Sequence, residues 1–478
     1  MTASNSKQRR AFDSRLLEGS IVGALFRLAL PITGANILQV AYQIIDAFWV
    51  GRLGAAAVAA VSITLPVMFV LIAAGMGFAI AGTTLIAQYT GARDHKMVDH
   101  VATQTLLTIV FVSIVLGALG FALAPWILHR LGVASDVYAN ALAFMRVIFV
   151  ALPFTFIYAM VQALLRGVGE VKAPLFIVAG TVLVNFALDP ILIFGKFGAP
   201  ALGVMGAAIA TLIAQLLASI VSMRLLFGGR FGIHVHWRDF VPDFAFVKRA
   251  FLLGYPASIE QSARGLGMTA MIVLVTSFGT VATASFGVSA NIFNVAVIPA
   301  MGLALATSAL VGQNIGAGNL ERAERTAHIA AVLTFLVLTA FGALCMIFAP
   351  AIVAFFVPHD RAVIAEGARV IRIVAWATGF LGLQFALPAV LRAAGEMIPA
   401  MVIGLASQWL LQLPLAYVLS HHTALGANGL WWSMPAANIA AAGMAAAWFL
   451  KGDWKKRRLI AQTPTQIQQE LVEEQAQM

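Results

Sequence analysis

The 478-residue sequence is 61% hydrophobic and only 10% charged, with a mean hydropathy of +0.92, which excludes an ordinary water-soluble domain, where about 25% of residues are charged. Its formal charge of +10 lies in short loops and at the termini, not along one polar face, which argues against a nucleic-acid surface and for a positive-inside membrane topology. A single cysteine, Cys345, sits inside an apolar run, so no intramolecular disulfide forms and its expected role is that of a small buried hydrophobe.

Residues 1–20 are polar and basic and carry no cleavable signal, so they are expected to be a cytoplasmic tail preceding a first helix that stays in place. Apolar runs then recur near 24–48, 58–88, 101–127, 138–164, 172–195, 202–227, 247–277, 283–313, 325–355, 364–390, 397–420 and 424–450. Each suits a helix crossing a hydrocarbon core ~30 Å thick, in which only helices or closed barrels satisfy their backbone. Strands of alternating polar and apolar residues, the mark of a barrel, are absent. The fold class is therefore an all-α polytopic membrane protein with about twelve transmembrane helices. Lys96, Arg166, Lys172, Arg230, Arg322, Arg392 and Lys451 gather on one side with Lys7, Arg9, Arg10, Arg15, Arg238 and Arg458, which places both termini in the cytoplasm of a cell inner (plasma) membrane protein.

The longest polar connection, residues 228–246, separates an N-lobe at 21–227 from a C-lobe at 247–450, and a polar tail follows at 451–478. The halves look like copies: Pro31 and Pro256, Gly54 and Gly279, and Gln88 and Gln313 each lie 225 residues apart. Six helices per copy is an even number, so the repeats run parallel and suit two lobes that rock about a central cavity.

Ionisable side chains inside spans are the positions to question, because they are costly in lipid and line cavities. In the first span Asn36, Gln39, Gln43 and Asp46 share one helix face. Asp46 is also six residues from Arg52, a spacing that suits a solvated carboxylate at the interface; the polar stripe favours a cavity. In the fifth span Thr181, Asn185 and Asp189 stack one turn apart, offering hard oxygen ligands to a small cation, and Pro190 frees a carbonyl nearby. Thr211, Gln215, Ser219 and Ser222 form a further polar face in the sixth span. Glu260 precedes Arg264 by four residues, which reads equally as an intrahelical ion pair and as a substrate contact. His234, His236, His421 and His422 have no spaced carboxylate or thiol partners and make poor metal sites.

Several motifs together carry a family resemblance: Gln43 to Gly51 closing the first span, Gly82 to Ala92 closing the second, its counterpart Ser308 to Gly318, Leu165-Arg166-Gly167-Val168-Gly169, Asn185 to Pro190, and Gly203 to Thr211. In this order and spacing the chain resembles the MATE (multidrug and toxic compound extrusion) family over essentially all of residues 20–450. The resemblance implies two six-helix lobes, alternating access, and export of an organic compound, cationic or amphipathic, in exchange for a proton or sodium ion. Asp46, Asn185, Asp189 and Thr211 match the cation-coupling positions of the DinF-like branch. Gln39, Tyr42, Gln43 and Glu260 are cavity or substrate candidates, and Pro31 is the expected kink in the first helix. Two carboxylates in one poorly hydrated pocket repel, and a shared proton or sodium relieves that repulsion. No cofactor is expected, no metal beyond that sodium, no catalytic residue and no partner besides substrate and membrane lipid; the expected state is a monomer. The alternative reading, a flippase for lipid-linked oligosaccharides, would want several cationic residues in the lobes.

Overall fold

The computed structural model describes residues 16–236, 239–457 and 459–460. Lys7, Arg9, Arg10, Arg15, Arg238, Arg458 and most of both expected tails therefore lie outside the described residues. The described elements are α1 Ile21–Gly51, α2 Ala55–Gly91, α3 His95–Arg130, α4 Ser135–Gly167, α5 Lys172–Phe194, α6 Val204–Phe227, α7 Phe244–Thr276, α8 Thr280–Gly316, α9 Leu320–Phe356, α10 Arg361–Ala375, α11 Thr378–Ala393, α12 Met397–Leu405, α13 Leu413–His421 and α14 Ala427–Lys451.

Ten passes are long and apolar enough to cross a membrane, and eleven when α10 and α11, bent by 49° at their junction, count as one span. The twelfth long helix is α7, which carries Lys248, Arg249, Glu260 and Arg264. Large hydrophobic side chains such as Phe111, Phe176, Leu183, Phe355 and Leu410 lie well exposed, as expected of surfaces that face acyl chains and not water.

Two expected spans are interrupted. The tenth, 364–390, breaks at Trp376-Ala377, where the Thr378 hydroxyl lies within hydrogen-bond reach of Ala375 O (2.7 Å), a carbonyl left over at the end of α10, and of Leu338 O of α9 (2.9 Å). The eleventh, 397–420, contains a π-helical stretch, Ala406–Gln412, just before Leu413-Pro414. Proline has no N–H to give, and wider-pitched turns re-satisfy the freed carbonyls within membranes.

The repeat is built into the helices. α2 and α8 are both 37 residues long and begin and end 225 residues apart. α3 and α9 start from equivalent N-caps: Asp94 accepts from Met97 N at 3.0 Å and Asn319 from Arg322 N at 3.1 Å. Before α6 and α14, Gly203 and Gly426 take nearly the same backbone, φ 56°, ψ −131° and φ 53°, ψ −131°, which only glycine adopts readily.

The chain forms two compact units. The first comprises Gly34–Ile86 and Arg93–Ser258; the second takes α1 up to Thr33, Ala87–Ala92 and the chain from Ile259 onward. Within the first unit the middle of α2 packs on α7: a Cβ on Gly77 would overlap Gly254 O and Ser258 Oγ, and Ser258 Oγ donates to Ala74 O at 3.1 Å. Within the second, a Cβ on Gly302 of α8 would overlap Thr33 Oγ1 and approach Ala29 O of α1. These are the same contact 225 residues apart. The second unit also holds the ends of α2 and α8 together, where Gly91 lies against Gln313 O and Gly316 against Gln88 O so closely that neither admits a Cβ. Gln88 Nε2 donates to Ala393 O at 2.8 Å, which gives the Gln-containing motif a structural role.

The described residues of the 228–246 connection dock on the start of α3. Asp99 accepts from His234 N at 2.7 Å, and Gln104 donates to Val241 O (2.7 Å) while accepting from Asp243 N (3.0 Å). Ile233 and Val235 are buried beneath these bonds. Asp243 caps α7 through Ala245 N and Phe246 N. Those amide donors, Phe246 foremost, with His100 at 3.3 Å, hold its carboxyl below the ordinary range.

Candidate functional site: a buried oxygen cluster in the first unit

α1, α5 and α6 bring the coupling candidates of the first unit together. Asn185 and Asp189, one turn apart on α5, are fully buried, and Asn185 Nδ2 donates to Asp189 Oδ1 at 3.2 Å. Tyr42 of α1, also buried, donates its hydroxyl to Thr211 Oγ1 of α6 at 2.9 Å. Asp46, one turn beyond Tyr42, is half-buried. Tyr42, Asp46 and Asp189 are near enough to act on one another electrostatically.

The cluster has a surplus of acceptors. Asp46 Oδ1, Asn185 Oδ1, Asp189 Oδ2 and Gln215 Oε1 are all buried, and none receives a hydrogen bond from the described residues. Buried acceptors are nearly always satisfied, and each orphan costs about 1–3 kcal/mol. Four orphans on three adjoining helices make a site that wants a proton or a hard cation. Gln215 was visible in the polar face of α6 but was not singled out from the sequence; its burial and lack of a donor identify it.

The remaining candidates divide. Gln39 and Gln43 are exposed on α1. Pro31 lies in the second unit, two residues before α1 passes to the first at Thr33/Gly34, and α1 runs through it without interruption. Glu260 is buried in the second unit, where Arg264 Nη2 donates to its Oε1 at 3.0 Å and Arg392 Nη2 to Oε1 and Oε2 at 2.8 and 3.0 Å. The ion pair with Arg264 is present as its spacing suggests; Arg392, 132 residues away, is the partner that spacing could not reveal.

Beside the cluster, an open groove of about 710 Å³ runs between α5 and α6 with apolar walls, among them Ile177 and the exposed Leu217 and Val221. It reaches Thr181, one turn before Asn185, and opens toward Lys172 and Arg230.

The profile of the MatE family matches residues 31–191 and again 256–418; the two matches begin at Pro31 and Pro256, at the spacing of the internal repeat. The chain is similar to the probable multidrug resistance protein YoeA of Bacillus subtilis, with 30% identity across 90% of this chain and 93% of that protein. It is also similar to the probable multidrug resistance protein NorM of Thermotoga maritima, with 28% identity across 91% and 94%. Among solved structures, a MATE in complex with MaL6 superposes with a TM-score of 0.86 at 25% identity, covering 92% of this chain and 99% of that one. An outward-facing multidrug resistance MATE family transporter of the MOP superfamily gives 0.87 at 24% identity, covering 94% and 100%, a likeness of fold.

Proposed function

This chain belongs to the MatE family, and from that premise we propose that it is a cation-coupled antiporter that exports amphipathic or cationic organic compounds by alternating access. Family members are multi-pass membrane transporters, not enzymes. In this reading the halves 21–227 and 247–450 are the moving lobes, and the coupling ion, a proton or sodium, binds at Asp46, Asn185, Asp189 and Thr211 with Gln215 as a further oxygen ligand. The single observation that carries it is the set of four buried acceptor oxygens without donors. A structural carboxylate pair would be expected to have basic partners; here Asp189 has one N–H donor, Asn185, and its charged neighbour is another carboxylate.

Tyr42 and Thr211 hold α1 against α6 beside the site, so ion binding at Asp46 and Asp189 would tighten that seam. Pro31, close to where α1 changes unit, is the proposed hinge through which the tightened segment moves. The apolar groove between α5 and α6 supports an amphipathic substrate class. We place the chain in the plasma membrane with both termini cytoplasmic.

The test is efflux of a fluorescent organic cation from proteoliposomes under an imposed proton or sodium gradient, comparing the parent with Asp46→Asn and Asp189→Asn. One gradient is expected to drive efflux in the parent and neither in the variants. Gradient-driven efflux that survives both substitutions would place coupling elsewhere.

A further inference from the structure

Glu260, Arg264 and Arg392 form a trio of two guanidiniums on one carboxylate, a formal charge of +1 for the three. Its depth is unusual. Residue 260 is the midpoint of the 33-residue α7, and Arg264 is one turn on, ~6 Å along the axis; with α7 spanning as its repeat counterpart α1 does, both fall within a hydrocarbon layer ~30 Å thick. Leu252, Ile259, Leu266 and Val273, spaced seven apart, form the exposed apolar stripe of α7. At ~100° per residue Arg264 points about 200° away from Leu266, on the opposite face. The Arg264 side chain nevertheless remains 40% exposed, whereas Glu260 is 3% exposed. An arginine within a span, off its lipid stripe and still open, is the kind of residue that lines polar cavities.

The surroundings are equipped for a ligand. Of the five N–H groups of Arg264, one is used on Glu260. Its guanidinium lies over Phe385 with 5.6 Å to the ring centroid. The π-helical stretch Ala406–Gln412, a feature that recurs at functional sites, brings three more side chains to this point. Gln408 lies so close to Gly267 that no Cβ fits there; Ser407 Oγ accepts from Gln384 Nε2 at 2.9 Å; and Trp409, itself exposed, donates Nε1 to Ala263 O at 3.0 Å.

We propose that Arg264 is an anion-recognition residue that takes the carboxylate, sulfonate or phosphate of an amphiphilic substrate, with Trp409 and Phe385 against its apolar body and Glu260 and Arg392 as positioning residues. Glu260 takes one Nη2 N–H of the guanidinium, and a bidentate contact through its remaining N–H groups is the geometry for which arginine is suited. The proposal deepens the transport reading by naming a substrate class; the binding itself does not depend on coupling.

The test uses two probes with one ring system: a rhodamine with a free carboxylate, and its methyl ester. Dissociation constants for both are measured by fluorescence polarisation on purified full-length protein, followed by efflux of both from proteoliposomes. The parent is expected to prefer the free acid, and Arg264→Gln to lower the acid-to-ester affinity ratio about tenfold, as loss of a charge-assisted hydrogen bond does. Arg264→Lys, which keeps charge but not the fork, is expected to fall between. Monodisperse elution of each variant shows that it is folded. A ratio unchanged in both variants, or a parent that prefers the ester, overturns the anion site. If the ratio depends on Arg264 while no gradient drives either dye, the anion site stands and the transport reading fails. If the ester is driven out in an Asp189-dependent way but the acid is not recognised, the transport reading stands and the anion site fails.

Discussion

Replacing Asp189 with Asn separates a coupling site from a structural one, because the two readings give stability changes of opposite sign. The side chain is fully buried, its charged neighbour is Asp46, and its Oδ2 receives no hydrogen bond from the described residues. Asp189→Asn is isosteric, so it opens no cavity. It ends any repulsion with Asp46 and supplies a permanent N–H₂ group to a cluster containing Asp46 Oδ1, Asn185 Oδ1 and Gln215 Oε1. One new N–H···O bond contributes ~1 kcal/mol, and relief of an orphaned acceptor a further ~1 kcal/mol at the low end of its range, so the variant is expected to be about 2 kcal/mol more stable in ion-poor neutral buffer while losing coupled efflux. The parent, in contrast, gains stability from its coupling ion: at a hundred times the dissociation constant this linkage is worth ~2.7 kcal/mol. The assay is thermal unfolding of purified protein in detergent, followed by tryptophan fluorescence, with sodium titrated at fixed pH and pH lowered without sodium. Whichever ion is coupled is expected to raise the midpoint of the parent and leave that of Asp189→Asn unmoved. A variant that melts below the parent in ion-poor buffer would refute the reasoning, because Asp189 would then be holding the helices together.

Gly316→Ala places a methyl group on the carbonyl of Gln88 and is expected to cost ~1–3 kcal/mol by overpacking, whereas Gly443→Ala, with open space around its Cβ, is expected to be close to neutral; paired thermal melts check both. Glu260→Ala leaves two guanidiniums without their carboxylate and is expected to cost ~3 kcal/mol, the low end for a broken buried pair because Arg264 retains solvent, which would be seen as a lower midpoint and lower yield. Gln104→Ala removes two of the bonds that tie the 228–246 connection to α3, ~2 kcal/mol in all, and is expected to speed proteolysis of that connection. Asp243 has its carboxyl depressed on folding by the amides of α7, so its stabilisation is complete above the ordinary carboxylate value of ~3.9 and is lost as pH falls through the lower folded value. The melting difference between the parent and Asp243→Ala is therefore expected to close below about pH 4.

Periodic and local features were legible in the sequence. Apolar runs marked the helices, and a constant 225-residue offset marked a repeat that reappears in paired caps, paired glycines and paired helix lengths. Asn185, Asp189 and Thr181 stood on one face by spacing alone. What the sequence could not convey depended on chain segments that meet only in three dimensions. At the break between α10 and α11, Thr378 reaches Leu338 of α9. Arg392 looks like a basic residue at a helix end and becomes a partner of Glu260 only through packing. Gln39 and Gln43 share the stripe of Asp46 and are exposed, because that helical face continues past the buried cluster.

The division of α1 and α7 between the two units bears on how such a molecule arose. Gly77 of α2 packs on the early part of α7, and Gly302 of α8 on the early part of α1, so each unit is completed by helical turns from the other copy of the repeat. A six-helix chain encoded by one copy would leave its second helix facing no counterpart for that contact. If the contact was supplied between two chains before duplication, fusion made that exchange permanent. Polypeptides ending and beginning within the 228–246 connection should accordingly be unstable alone and restore one another when expressed in the same cell.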